Sequence, residues 1–160
     1  NLYNDDNTSY SQRSYEAQLD FKAAIPLSER VTLVPQLWNR WLFGNSFNYY
    51  SNYIGGTMYG RYTQKQIPFI GLNHTYAVHD RLDVARADLR IKLFKQHYLN
   101  LTANYMFNWG VIRSLNMFEH HYGFGAAYAV NTFIGPIQFL VHWSDLSRKV
   151  GFHFSLGYDF

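Results

Sequence analysis

The closing stretch VGFHFSLGYDF (150–160) decides how the whole chain is read. Val150, Phe152, Phe154, Leu156, Tyr158 and Phe160 fall at every second position. Gly151, His153, Ser155, Gly157 and Asp159 fall between them. Successive side chains of an extended strand point to opposite faces, so one face here is apolar and the other small and polar. Terminal residues of a domain in water usually fray. This stretch keeps its alternation to the last residue and ends on a ring.

The same period-2 pattern recurs upstream, and sustained helical periodicity does not. Tyr15, Ala17, Leu19, Phe21, Ala23 and Ile25 share one face, with Glu16, Gln18, Asp20 and Lys22 on the other. PLSE (26–29) reads as a turn. A strand follows over 31–42, where Pro35 lacks the N–H that a ladder needs and predicts an irregular pairing. Residues 43–52 read as a loop, 53–61 as a glycine-weakened strand, 67–78 as another strand, and HDRL (79–82) as a connection. The clearest segment is 83–94: Ala85, Ala87, Leu89, Ile91 and Leu93 alternate with Arg86, Asp88, Arg90 and Lys92. After KQ, Leu99 to Asn108 alternate, then 109–119 reads as a loop. Strands over 122–130, 137–143 and 150–160 complete eight or nine. Residues 1–14 form a polar lead-in or loop, and 15–160 a single strand-built region.

Composition narrows what surrounds this sheet. The chain of 160 residues carries 14 Tyr, 13 Phe and 4 Trp, yet only 16% charged residues, against about 25% in ordinary domains. Mean hydropathy is only -0.29. No apolar run approaches the ~20 residues of a membrane-spanning helix. No cysteine is present, which excludes a disulfide scaffold and Cys-ligated zinc. The net charge of +3 is scattered, and no basic stripe of the kind that holds nucleic acid appears.

Alternation alone suits a soluble sandwich, with the apolar face inward, or a membrane barrel, with that face in lipid. Three features favour the barrel. Several segments reach ten residues or more, near the ~9–11 of a tilted membrane strand and beyond the ~5–6 of globular strands. The polar face mixes Gly, Ala, Ser, Asn and Thr with its charges. Rings gather near strand ends and loops (Trp38, Trp41, Tyr49, Tyr50, Tyr53, Trp109, Trp143), as in an interfacial girdle. The reading is all-β: an antiparallel, up-and-down transmembrane β-barrel of the bacterial outer membrane, in contact with its lipid. Lipid tolerates no open edge, so the last strand must pair along its length. Phe152, Phe154, Leu156, Tyr158 and Phe160 then form a C-terminal signal of the kind outer-membrane barrels present to the insertion machinery.

The blocks NYIGGTMYGRYTQKQIPFIGL (52–72), ARADLRIKLFKQHYLNLTANY (85–105), IGPIQFLVHWSD (134–145) and SLGYDF (155–160) resemble one family. It is the C-terminal barrel region of bacterial, Bacteroidetes-type patatin-like phospholipases, itself similar to the barrel of the surface-antigen and outer-membrane-insertase superfamily. The resemblance implies a barrel of about sixteen strands, of which this chain is the C-terminal half. Further strands then precede Asn1, two copies combine as a homo-oligomer, or the chain closes as a small barrel. It also implies a separate N-terminal hydrolase domain with its serine in G-x-S-x-G. That motif is absent from this sequence, so no catalytic residue is carried over and this chain is not expected to be the enzyme. The implied role is to anchor or translocate the missing domain. The alternatives are a self-contained small barrel that modifies lipid A or phospholipid, and a passive pore or structural protein.

Candidate chemistry is sparse. His142 with Ser144, and His153 with Ser155, each share a strand face, and a nucleophilic serine needs such a neighbouring base. Lipid A deacylases are similar in using a His-Ser pair, but theirs faces lipid, whereas alternation puts both pairs here on the lumen face. Adjacent His120 and His121 point to opposite faces and, like His74 and His79, make a poor metal site; no metal or cofactor is expected. Arg86, Asp88, Arg90 and Lys92 form a lumen stripe whose expected partners are Glu16, Asp20 and Lys22.

Overall fold

The computed structural model describes residues 14–44, 52–57, 63, 65–112 and 115–157. The described residues form ten strands: β1 (Ser14–Lys22), β2 (Ile25–Ser28), β3 (Val31–Gly44), β4 (Asn52–Ile54), β5 (Tyr76–Val78), β6 (Arg81–Phe94), β7 (His97–Ile112), β8 (Leu115–Thr132), β9 (Gly135–Ser144) and β10 (Val150–Leu156). The described residues contain no helix. One antiparallel sheet runs β1-β3-β6-β7-β8-β9-β10, with β2 continuing β1 alongside β3; β4 and β5 form a separate pair. Each long strand joins the next by an antiparallel ladder, the up-and-down order that alternation implied. Among the described residues β1 and β10 pair with no further strand, so the sheet has two free edges.

Proline shapes the first hairpin. Lys22 lies opposite Gln36 and Ile25 opposite Leu33, so Ala23 and Ala24 fall beside Pro35 and Val34, where the ladder lapses. Pro35 still accepts a bond from the Ala23 amide at 3.1 Å. The irregular pairing expected at Pro35 is therefore present, in the neighbouring strand. The expected turn at 26–29 is instead mostly strand β2, and the reversal falls at Glu29–Arg30.

Two other expectations are corrected. The described parts of 53–61 and 67–78 are not strands of the main sheet: within them only β4, β5 and a parallel bridge between Ile54 and Ile67 are extended, and residues 58–61 lie outside the described residues. Gly55, Gly56 and Gly71 all have positive φ there, and such kinks turn the chain off any straight ladder. The loop expected at 109–119 is largely strand, because β7 reaches Ile112 and β8 starts at Leu115. Trp109 and Phe118, directly paired across the strands, stack with centroids 6.2 Å apart and carry the hairpin outward. The loop residues 45–51, and Tyr158 and Phe160 of the closing signal, lie outside the described residues.

Burial is inverted relative to a protein in water. On one face Tyr105 is 48% exposed, Phe124 52%, Phe152 65% and Phe154 64%. On the other, Asp88 is 5% exposed and Asn108 and Ser144 are fully buried. Large apolar side chains outward over many strands, with polar ones inside, are the arrangement that lipid rewards and water penalises.

Candidate functional site: an occupied lumen face

The inner, concave face is partly filled by the chain that links β3 to β6. Residues 52–57 and 66–72 lie against it, almost entirely buried. The contact is apolar at one end and polar at the other. Ile54, Ile67, Phe69 and Leu72 of the link pack on Trp38 (β3), Leu82 and Val84 (β6) and Met106 (β7). These wall residues break the sequence rule in the same way: each is apolar at an inward position. Trp38, expected in an interfacial girdle, is thus a buried anchor for the link.

The link bonds partly to itself, as in Gly55 N–H to the Ile67 carbonyl and Ile67 N–H to the Tyr53 carbonyl, and side chains satisfy further backbone groups that its turns leave over. The Ile70 amide donates to Asn104 Oδ1 at 2.7 Å. Ser144 Oγ donates to the Gly71 carbonyl at 3.1 Å. Asn52 Nδ2 donates to the His79 carbonyl at 2.8 Å, and Gln66 Nε2 to the Gly55 carbonyl. Close approach is made possible by missing side chains. A Cβ on Gly123 of β8 would sit 2.3 Å from the Ile70 oxygen, so only glycine admits the link here.

Beyond the link the inner face carries the charge stripe, and the charges pair differently from expectation. Asp88 is the hub. It accepts from Gln36 Nε2 at 2.6 Å, Thr102 Oγ1 at 2.6 Å and Arg86 Nε at 3.0 Å, and Arg86 Nη2 lies 2.9 Å from it. Arg86 Nη1 also donates to the Thr57 carbonyl at 3.3 Å, tying the stripe to the link. Glu16 pairs with Arg40 at 3.0 Å and Lys65 at 2.7 Å, not with the stripe. Asp20 is exposed and accepts from Gln18; among the described residues neither Asp20 nor Lys22 forms an ion pair. The reason is distance along the sheet: β3 lies between β1 and β6, so Arg40 intercepts Glu16. Arg90 and Lys92 are exposed towards the open lumen. A cavity of about 240 Å³ between link and wall is lined by Arg86, Arg90, Asn100, Gln138 and His153, many times the ~10–15 Å³ that one water needs.

The two His-Ser pairs do face inward, as alternation placed them. His142 and Ser144 are buried, yet Ser144 Oγ is engaged by Gly71 and Ser147 and makes no hydrogen bond to His142. His142 packs over Gly151 of β10. His153 and Ser155 line the cavity without a hydrogen bond between them among the described residues. No group of three or more potential metal ligands occurs among the described residues.

The family model for the OMP85 superfamily matches residues 1–160, the full length of this chain. The chain belongs to the OMP85 superfamily. Membership makes this an outer-membrane β-barrel or insertase-type domain, from a superfamily that works in outer-membrane protein insertion and transport. The antiparallel meander and inverted burial of this OMP85 chain agree with that placement. No curated protein and no solved structure matches it.

Proposed function

We propose that this OMP85 chain is the membrane-embedded part of a patatin-like phospholipase of surface-antigen type. It anchors, and helps to translocate, a hydrolase domain carried elsewhere in the protein. The observation that carries the membrane role is the inverted burial: exposed Phe and Tyr outward, buried Asp88, Asn104 and Ser144 inward. The patatin assignment is supported by the sequence blocks at 52–72, 85–105, 134–145 and 155–160. That this chain is not itself the enzyme is supported by Ser144, whose hydroxyl is used to hold Gly71. Partners on this reading are outer-membrane lipid, the insertion machinery that reads the last strand, and the further strands that cover both sheet edges.

The test compares the full-length protein with this region alone, each refolded in detergent and run unheated and heated on a gel. Full-length protein should shift mobility on heating and hydrolyse phospholipid. The isolated region should do neither, because its two edges stay open and the hydrolase domain of this reading lies outside it. A compact, heat-modifiable band from residues 1–160 alone would instead support a self-contained small barrel. A full-length protein that shifts but never hydrolyses lipid would remove the phospholipase assignment.

A further inference from the structure

Among the described residues, the outward face carries one arginine to which no carboxylate or carbonyl is hydrogen-bonded, Arg81. Strand register sets its surroundings: Arg81 of β6 lies opposite Trp41 on β3 and Trp109 on β7. Its guanidinium sits 3.7 Å from the Trp109 ring centroid and 5.2 Å from that of Phe43. Those rings hold the group in place. Among the described residues no carboxylate or carbonyl accepts from it. The neighbouring charge on the same face, Asp83, takes hydrogen bonds on its Oδ1 from Asn39 and from Trp41 Nε1. Arg81 therefore stands in a ring of aromatic side chains with its planar N–H donors free. That ring marks the level of lipid headgroups.

Directly along β6 from Arg81 the outward surface drops into a groove. Its floor is Ala85, Ala87 and Ala103, and its walls are Leu37 on one side and Tyr105 and Phe124 on the other. Ala85 is four residues from Arg81, about 13 Å at the rise of a strand. The groove thus starts about 13 Å along the strand from the Arg81 backbone, a span shared between the arginine's own side chain and a glycerol phosphate, and runs towards the middle of the sheet. Small side chains in register on two neighbouring strands, Ala87 opposite Ala103, keep it open.

We propose that this groove and Arg81 together bind one phosphate-bearing membrane lipid: its acyl chain lies on the alanine floor and its phosphate is held by the Arg81 guanidinium. Charge complementarity selects this occupant. A planar fork with free donors matches phosphate oxygens two at a time, and the polar residues that border the groove, Gln36, Arg86 and Asn104, are engaged on the inner face with Asp88 and the Ile70 amide. The inference rests on the membrane reading above, since it needs the outward face to lie in lipid.

The experiment uses the full-length protein in detergent, with lipid retention read by native mass spectrometry. The probes are dimyristoyl phosphatidic acid and dimyristoylglycerol, which share chains and differ in phosphate. Wild type should retain one phosphatidic acid per barrel, about tenfold better than the diacylglycerol. R81Q should erase that preference, and R81K should restore part of it. A87F, which fills the groove on a lipid-facing surface, should abolish retention of both. Equal retention of the two probes by wild type, or an unchanged preference in R81Q, overturns the site. Full competition by inorganic phosphate assigns Arg81 to a free anion and overturns the lipid; a dimer that A87F dissociates assigns the groove to a second copy, with the same result. Heat-modifiable mobility is measured on every sample. A barrel that shifts but retains no lipid refutes this site alone, whereas a protein that never shifts refutes the membrane reading itself.

Discussion

Replacing Gly123 with valine should expel the link from the lumen face without unfolding the sheet. The added Cβ would meet the Ile70 carbonyl oxygen at 2.3 Å and the Asn104 amide nitrogen at 2.9 Å. The first is about 1 Å short of ordinary contact, and the clashing atom is backbone that cannot swing aside. A retreat of that size also breaks the bond from the Ile70 amide to Asn104, now 2.7 Å, because hydrogen bonds weaken steeply past ~3.2 Å. One lost bond costs about 1 kcal/mol, and overpacking of this kind costs ~1–3 kcal/mol. Together they raise the undocked population roughly thirty- to several-hundred-fold. Amide hydrogen exchange reads this directly, since the Ile70 amide is protected only while docked. In full-length Gly123→Val, exchange at Ile70 to Leu72 should accelerate by that factor while the β6–β7 ladder stays protected. Unchanged protection of Ile70 would refute the docking argument; loss across β6, β7 and β8 together would mean that link and sheet are one cooperative unit.

Three further predictions follow from the two faces. Asp88→Ala should destabilise the barrel by ~3 kcal/mol, the low end for a broken buried pair, in urea unfolding from vesicles, because it strands the half-buried Arg86; the exposed Asp20→Asn should change stability by less than ~0.5 kcal/mol. Ala103→Arg on the outward face should cost ~2–4 kcal/mol, whereas Asn100→Lys in the lumen should be near neutral, and the reverse order would mean that the faces are assigned backwards. Ser144→Ala should cost about 1 kcal/mol through the lost Gly71 bond and, on the proposed phospholipase reading, leave any lipid hydrolysis by the whole protein intact; loss of hydrolysis with unchanged stability would make Ser144 a nucleophile.

The sheet was legible in the sequence because a period of two needs only local information. Alternation in 83–94 and 97–108 sorted the side chains of β6 and β7 into two faces, strand length and composition assigned the apolar one outward, and the burial agrees: Ala85, Ala87 and Ala103 are exposed, Asp88, Thr102 and Asn104 buried. The link was not legible, because its contacts are tertiary. Its apolar run at 67–72 looks like a strand when only local pattern is weighed. One signal was available. Trp38, Leu82, Val84 and Met106 are apolar at inward positions of an otherwise polar face, and four such exceptions on three neighbouring strands require an apolar object inside. Gly123 and Gly125 on the inward phase of β8 are the matching signal for close backbone approach. The ion pairs escaped for a different reason: alternation gives a residue's face, but only register says that Arg40 stands between Glu16 and the stripe.

Register also bears on how this sheet survives in lipid. Along β10, from Val150 to Leu156, and along β1, from Ser14 to Lys22, one ladder's worth of backbone groups has no partner among the described residues. Each unsatisfied group in hydrocarbon costs several kcal/mol, so two such edges together exceed the whole stability of an ordinary domain. The edges must be covered. Joining β1 to β10 would bend seven main strands into a ring, whereas interposed strands would widen the lumen enough for the link. Because the chain has no cysteine, paired cysteines report the choice cleanly. A set of doubles combining Tyr15→Cys, Leu19→Cys or Phe21→Cys with Phe152→Cys or Phe154→Cys samples every plausible stagger on the outward face. A disulfide forms only when the Cα atoms come within ~7 Å. Interposed strands, which set β1 and β10 far apart at ~4.8 Å per strand, predict no cross-link in any pair, while the control Phe139→Cys with Phe154→Cys, directly opposed on β9 and β10, closes readily. High-yield cross-linking of any β1–β10 pair within one monomer would show that these strands seal against each other, and would refute the larger barrel.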